Sequence, residues 1–375
     1  MKNISINLIS FTSNKSIGTL VYIKRLIAEI SKLDIEYCFI FYCQKDFNIS
    51  CFKLPVNHKI IRVPQFYSVL SRILFEQTLF YLYIKKTDFF YTPCLSMPLF
   101  IKAVKILTIH DMVPFILHNK YSLFRKYYIQ LMTRICAHFC DLIITVSENS
   151  KKDIIKILRV KESKIRIIYN FISEDEDVIQ SRPIPKSFIS RFGFKKPFFL
   201  NVSTLQPGKN IEGLISAFNI FVNTNNNYHL YIVGNKGWGY NNICKIVKKF
   251  GLENKVFFTG YLGDEELAYL YELCYGVVYV SFYEGFGIPP LEGFYHNKPC
   301  IASNNSSLPE VVGSAAVLVD PYSIESISDG FSGYTKIHNE LISEIKLSIS
   351  KFDPAEQVRK FISIFSDFRK DVLPK

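Results

Sequence analysis

Glu284 and Glu292 stand eight positions apart in the string YEGFGIPPLEG, with Gly285 and Gly287 between them and Pro289–Pro290 inside the interval. Glycine lets a backbone turn sharply and approach a ligand closely. Proline suits a first helical turn, where its missing N–H would be unpaired anyway. The N–H groups of Gly285, Phe286 and Gly287, followed by a helix over 289–297, therefore predict a cradle for an anion. A carboxylate can accept from two neighbouring hydroxyls, so Glu284 in the loop and Glu292 in the helix suit a sugar or ribose ring. Taken singly, Glu292 also reads as a favourable charge near a helix N-terminus, and Glu284 as a solvated loop residue. Taken together, an anion cradle bracketed by polyol binders fits a nucleotide sugar. Lys209, in LQPGKN, is read as a mobile cation at another helix start, an arrangement that grips a diphosphate.

The longer string E-G-F-G-I-P-P-L-E, followed by K-P-C-I-A-S and S-S-L-P-E-V-V-G, resembles the donor-site signature of glycosyltransferase family 4, whose mark is a Glu, seven residues and a second Glu. The resemblance covers nearly the whole chain and is strongest from Phe198 to Pro321. It implies an α/β chain of the GT-B architecture, two Rossmann-like domains facing across a cleft. The C-terminal domain would hold the nucleotide sugar and the N-terminal one the acceptor, with retention of anomeric configuration and no required metal or other cofactor. It implies catalytic roles for Glu284, His110 and Lys209, and donor contacts from Glu292, Gly285, Phe286, Gly287, Lys209, Asn210, Leu291 and Tyr261. Gly18, Asp111 and Ser147 fall on the acceptor side. The family usually shows P-R-K-N where this chain has Pro207-Gly208-Lys209-Asn210, so a second cation is missing from that loop. GDP-mannose and UDP-hexoses both remain open as donors. The expected acceptor is a glycan, lipid-linked, of a bacterial O-antigen or capsule. A sugar-nucleotide epimerase on the same scaffold is one alternative; a basic, non-catalytic protein binding membrane or nucleic acid is another.

Elements must place these residues. Short apolar runs alternate with helical ones, which predicts parallel α/β layers. Strands are expected over 4–10, 36–43, 59–63, 89–91, 104–110, 142–147 and 165–169. After Pro183–Pro185 the pattern restarts over 198–203, 229–234, 256–260, 275–281, 300–303 and 316–319. Domains are expected at 1–180 and 181–353, joined by a linker near 174–196, with a helix over 354–369 packing back on the first. His110 and Asp111 close ILTIHDMVPF, at a strand end where catalytic groups of α/β folds collect; a histidine tied to Asp111 is the plainer reading. Ser147 caps a helix over 148–159. Gly18 lies in a strand-to-helix turn (13–19) before a helix over 20–30. Single helices are expected over 68–86 and 121–140. The loop GNKGWGY (234–240) and Tyr261–Leu262 are expected to face the base or sugar.

Composition sets the limits. A chain of 375 residues that is 49% hydrophobic exceeds one comfortable core and predicts two domains. No apolar run reaches membrane-spanning length without a charge, and polar residues interrupt any leader-like core at the start. A cytoplasmic protein is expected. Nine cysteines carry no C-x-x-C or Cys/His cluster, which predicts free thiols and no metal site. The net charge of +12 divides as +10 in residues 1–180 and +2 in the remainder. That basic, Tyr- and Phe-rich first half predicts peripheral contact with the anionic inner face of a membrane. No nucleic-acid module is legible.

Overall fold

The computed structural model describes residues 1–11, 18–95, 97–117, 123–173 and 197–371, together with 184–185, 188, 190 and 193–195. The acidic run of the expected linker, most of the 13–19 turn and the first residues of the 121–140 helix lie outside these. The chain divides into two compact units, Met1–Ser173 with Phe352–Lys375, and Glu174–Lys351.

The first unit is a seven-stranded parallel sheet: β1 (Lys2–Asn7), β2 (Tyr37–Gln44), β3 (His58–Val63), β4 (Phe89–Thr92), β5 (Val104–Thr108), β6 (Leu142–Thr145) and β7 (Ile165–Ile167), in the order β3-β2-β1-β4-β5-β6-β7. Every residue of β2, β4 and β6 is buried. Their unbroken apolar runs reflect cover on both faces. The helices are α1 (Gly18–Ser31), α2 (Val69–Gln77), α3 (Val113–Ile116), α4 (Leu123–Phe139) and α5 (Glu148–Leu158).

The second sheet has six parallel strands: β8 (Phe198–Val202), β9 (His229–Val233), β10 (Val256–Gly260), β11 (Gly276–Tyr279), β12 (Cys300–Ser303) and β13 (Ala316–Val319), ordered β10-β9-β8-β11-β12-β13. Its helices are α6 (Ile211–Thr224), α7 (Tyr240–Lys249), α8 (Asp264–Leu273), α9 (Ile288–Tyr295), α10 (Leu308–Val312) and α11 (Ile324–Ile349). Two-residue alternation splits the core. Phe199, Val278 and Ile301 face α6, α7 and α11. Phe198, Leu200, Val277 and Tyr279 face α8, α9 and α10. The last helix, α12 (Pro354–Asp371), belongs to the first unit. There Phe365 meets Phe89 at 5.0 Å and Phe361 meets Tyr91 at 5.2 Å between ring centroids.

All thirteen expected strands are present, several shorter than read. β5 stops at Thr108 and β6 at Thr145, where their pairing ends. His110 and Ser147 therefore stand in loops beyond the sheet. The expected helix over 68–86 is broken: α2 ends at Gln77, Thr78 leaves helical geometry, and Leu79–Leu82 forms a 3₁₀ turn. An unbroken helix would set Phe75 and Phe80 about 140° apart. The break turns both into one core, their rings 5.9 Å apart. Thr78 bonds back to the Leu74 carbonyl at 2.6 Å, the local competition that ends helices.

A constraint sits at the start of β11. A Cβ on Gly276 would lie 1.9 Å from the Tyr334 hydroxyl oxygen, and that hydroxyl reaches the carbonyls of Tyr275 (3.0 Å) and Pro299 (3.1 Å). Gly276→Ala is expected to destabilise the chain by about 1–3 kcal/mol through overpacking. An unchanged midpoint in chemical denaturation would show that Tyr334 is not locked.

Candidate active site

In the second sheet the strand order reverses between β8 and β11, the crevice where open α/β sheets bind ligands. The loops leaving these two strands carry Lys209 and Glu284. After β8, Pro207–Lys209 forms a 3₁₀ turn, Asn210 takes a left-handed conformation (φ 54°), and α6 begins at Ile211. Lys209 thus precedes the helix instead of opening it. The Asn210 amide donates to the Pro321 carbonyl at 2.7 Å, so its side chain fastens the loop to the chain beyond β13.

Lys209 is not a mobile cation. Its Nζ lies 2.5 Å from Glu284 Oε1 and donates to the Tyr279 hydroxyl at 2.8 Å. The two side chains are only 19% and 14% exposed. Burial alone would lower the lysine's pKa, but Glu284 and then Tyr279 outweigh it and the net shift is upward. The lysine is therefore fully charged. Burial, with Glu284 next, holds the Tyr279 phenol protonated. Phe282 N–H donates to the Gly208 carbonyl at 3.1 Å, knitting the two loops together.

The glycine turn rests on a scaffold that the sequence reading left unassigned. The Glu284 N–H donates to Ser306 Oγ at 3.1 Å. The Ser307 hydroxyl lies 3.0 Å from the Glu284 carbonyl and 2.9 Å from that of Phe286. Asn305 donates to the Phe282 carbonyl at 3.0 Å and Ser303 to that of Ser281 at 2.7 Å. The available signal was the polar run after β12, Ser303–Ser307. Gly287 caps α9 at φ 109°, and a Cβ there would lie 2.6 Å from Leu308. Gly285, Phe286 and Gly287 are buried, while Phe282, Glu284, Ile288 and Pro289 keep partial exposure. Pro289 and Pro290 fill the first turn of α9, so two of its outward N–H groups do not exist.

Glu292 lies one turn into α9, and its Oε2 accepts from the Tyr271 hydroxyl of α8 at 2.9 Å. Burial first, then Glu292, raises the Tyr271 pKa far above its ordinary value, and Tyr279 adds to the shift. The Glu284–Lys209 and Glu292–Tyr271 clusters therefore adjoin through two tyrosines. Leu291 is fully buried, whereas Tyr261, just past β10, is 54% exposed.

The first unit gathers its own set at the C-terminal ends of its strands. His110 Nε2 is 3.2 Å from the Pro93 carbonyl. A carbonyl only accepts, so Nε2 carries the hydrogen and Nδ1 presents a lone pair. The ring meets Tyr22 of α1 edge-on at 5.1 Å. Burial lowers the His110 pKa despite opposing contributions from the Pro93 carbonyl and Asp111. Asp111 is engaged elsewhere, accepting from Val113 N–H at 2.9 Å. Ser147 is fully buried and caps α5 through Ser150 N–H at 3.0 Å, while Ser150 Oγ donates to the His110 carbonyl at 3.1 Å. Gly18 opens α1 and is exposed. Among the described residues, no three His, Cys, Asp or Glu side chains are placed to hold a metal ion.

Two family models match, "Glycosyltransferase Family 4" over residues 18–176 and "Glycosyl transferases group 1" over 185–340. The chain belongs to the family 4 glycosyltransferases. The "O-antigen chain mannosyltransferase B" of Escherichia coli is 32% identical over 60% of this chain and 59% of its own length. The "O-antigen chain mannosyltransferase RfbU" of Salmonella typhimurium is 30% identical over 66% and 63%. The chain thus aligns with less than two thirds of either relative. A crystal structure of Anabaena HepE with UDP and glucose superposes with a TM-score of 0.74 at 16% identity, over 98% of this chain and all of that one. Sucrose-phosphate synthase of Thermosynechococcus elongatus gives 0.78 at 14%, over 99% and 100%. At such identities the likeness is one of fold, and the fold of this family 4 chain is GT-B.

Burial also lowers the pKa of His229 and His338, with Lys255 and Lys298 adding to it. Like His110, each binds a proton less readily folded than unfolded. The unfolded chain then takes up more protons, so stability is expected to fall as the pH drops through about 6.5 and below. Thermal melts across that range check this, and His110→Gln should soften the slope. A flat profile would contradict it.

Proposed function

We propose that this chain transfers a hexosyl group, mannosyl in the first place, from a nucleoside-diphosphate sugar to a glycan acceptor in O-antigen-type polysaccharide synthesis. The observation that carries the reading is the charged Lys209, held against Glu284 and Tyr279 at the β8/β11 crevice. The relatives named as mannosyltransferases support the sugar, and GDP-mannose is the first donor to test, UDP-hexoses the second.

In this reading Lys209 exchanges part of its contact with Glu284 for the leaving diphosphate. It neutralises charge that grows as the glycosidic bond breaks, a contribution of about 3 kcal/mol. No metal ion is required for that step. Glu284, still paired with Lys209, orients the sugar ring, and Glu292 takes ribose hydroxyls. A carboxylate 2.5 Å from an ammonium is a poor nucleophile. This favours attack from the face the diphosphate leaves, with retention, over a covalent glycosyl-enzyme. His110, neutral with Nδ1 as acceptor, is the candidate for holding an acceptor or sugar hydroxyl on the first unit.

A lipid-linked acceptor would place the chain at a membrane surface, and the first unit carries features that support this. Leu70, Leu74, Leu79, Leu82, Phe100 and Leu131 are each more than half exposed. Phe100 N–H donates to Tyr81 Oη at 3.1 Å and its ring meets Phe139 of α4 at 6.5 Å, joining the 3₁₀ turn to α4. Lys85, Lys86, Lys102 and Arg134 are exposed on the same segments. Exposed apolar residues and cations on the same segments suit an anionic bilayer. No helix among the described residues is long and apolar enough to cross one.

Lys209→Met keeps the buried stem and removes the charge; it is expected to slow transfer about 10²-fold without unfolding the chain. Glu292→Ala should weaken nucleotide binding, and EDTA should leave the wild-type rate intact. Wild-type turnover in Lys209→Met, isomerised donor with no transfer, or a rate restored only by manganese would each overturn a stated part. Sedimentation with phosphatidylglycerol vesicles, but not phosphatidylcholine ones, should pull down the protein. Replacing Leu82 and Phe100 together by serine should abolish that; equal binding to both vesicle types would refute the membrane contact.

A further inference from the structure

A hollow opens in the second unit, about 660 Å³ in volume, lined by Pro207, Glu212, Lys236, Trp238, Tyr240, Asn242 and their neighbours. Neither Lys209 nor Glu284 is among its lining residues. Trp238 is the single tryptophan of the chain and is 52% exposed. Its loop is fixed in place. Lys236 forms a bridge with Leu205, and Leu205 N–H donates to the Asn235 carbonyl at 3.0 Å. Gly237 is pressed so closely onto Leu205 that a Cβ would lie 2.3 Å from its carbonyl oxygen. A large indole is thus held out in water by a backbone with little freedom to fold it in.

The chemistry of the walls narrows the occupant. The Lys236 ammonium lies 4.8 Å from the centre of the Tyr240 ring, so the cation is engaged with the wall. Glu212 is the acidic lining residue and Lys236 the basic one, leaving no surplus positive charge for a phosphate. An exposed indole face beside two asparagine amides and a carboxylate suits a ligand with an apolar C–H face and hydroxyls along its edge. A sugar ring has that form, and the volume lies in the range that takes a small-molecule ligand.

We propose that the Trp238 hollow is a carbohydrate-binding subsite that holds a neutral glycan chain, apart from the Lys209–Glu284 cluster. Trp238 stacks against a ring face while Glu212, Asn241 and Asn242 take its hydroxyls. This rests on the reading that the chain acts on glycans, yet binding here needs no donor and no transfer. A longer glycan gains contacts at this subsite that a monosaccharide lacks.

The lone tryptophan makes the test direct. Manno-, gluco- and galacto-oligosaccharides of one to six units are titrated, without nucleotide, while the intrinsic tryptophan fluorescence is followed. A saturable change with at least one series at millimolar concentration is expected, stronger for longer chains. By calorimetry Trp238→Ala should weaken binding of the responding oligosaccharide about tenfold, and Trp238→Phe should recover part of the loss. Silence with all three series, or a response to nucleotide in place of oligosaccharide, would overturn the subsite. Loss of transfer activity with intact oligosaccharide binding would sink the proposed reaction and spare this site.

Discussion

An ammonium and a carboxylate, both largely withdrawn from water, meet where the second sheet reverses its strand order. Taking two charges out of water is costly, and their attraction repays it only with good geometry and further hydrogen bonds. Here the geometry comes from the loops of two adjacent strands, tied by Phe282 and Gly208, and the additional bond from Tyr279. A pair so assembled is weak evidence of stability for its own sake. What it does provide is a cation kept charged and positioned before any ligand arrives. Preorganised charge of this kind needs little reorganisation when negative charge develops beside it.

The serines behind the turn make that arrangement durable. Ser306 and Ser307 hold the Glu284 and Phe286 backbone from β12's side, so the carboxylate is delivered by a braced loop. The first unit uses a related device. Ser147 caps α5, Ser150 reaches from that cap to the His110 carbonyl, and the strand-end loop is fixed by the helix that follows the next strand. In both units the groups with chemical potential stand past the C-terminal ends of parallel strands, supported by polar residues of an adjacent connection.

Much of this was legible because parallel strands buried on both faces leave unbroken apolar runs, and glycines and prolines mark the turns between them. Gly285, Gly287 and Pro289–Pro290 placed the turn before α9 on that basis. The Lys209–Glu284 contact was not legible as a pair, since the residues are 75 positions apart and only the sheet order brings their loops together. Tyr279 read as part of a buried strand and Tyr271 stood in no motif, because a buried phenol looks apolar in a sequence until its partner is known. Thr78 hid inside an apparently continuous helical pattern; the need to bury both Phe75 and Phe80 decided the break. Ser147 was legible as a cap, and capping is the role its hydroxyl has in the fold.

The second unit is inserted in the first, whose final helix comes from residues 354–371. Phe361 and Phe365 cover Tyr91, Phe89 and Tyr37 of its sheet. During synthesis, an entire domain must therefore leave the ribosome before the N-terminal sheet receives its last layer. The second unit is made of one continuous stretch and is free to fold in the order of translation. The N-terminal unit waits with an aromatic face uncovered until residues 354–371 have been made.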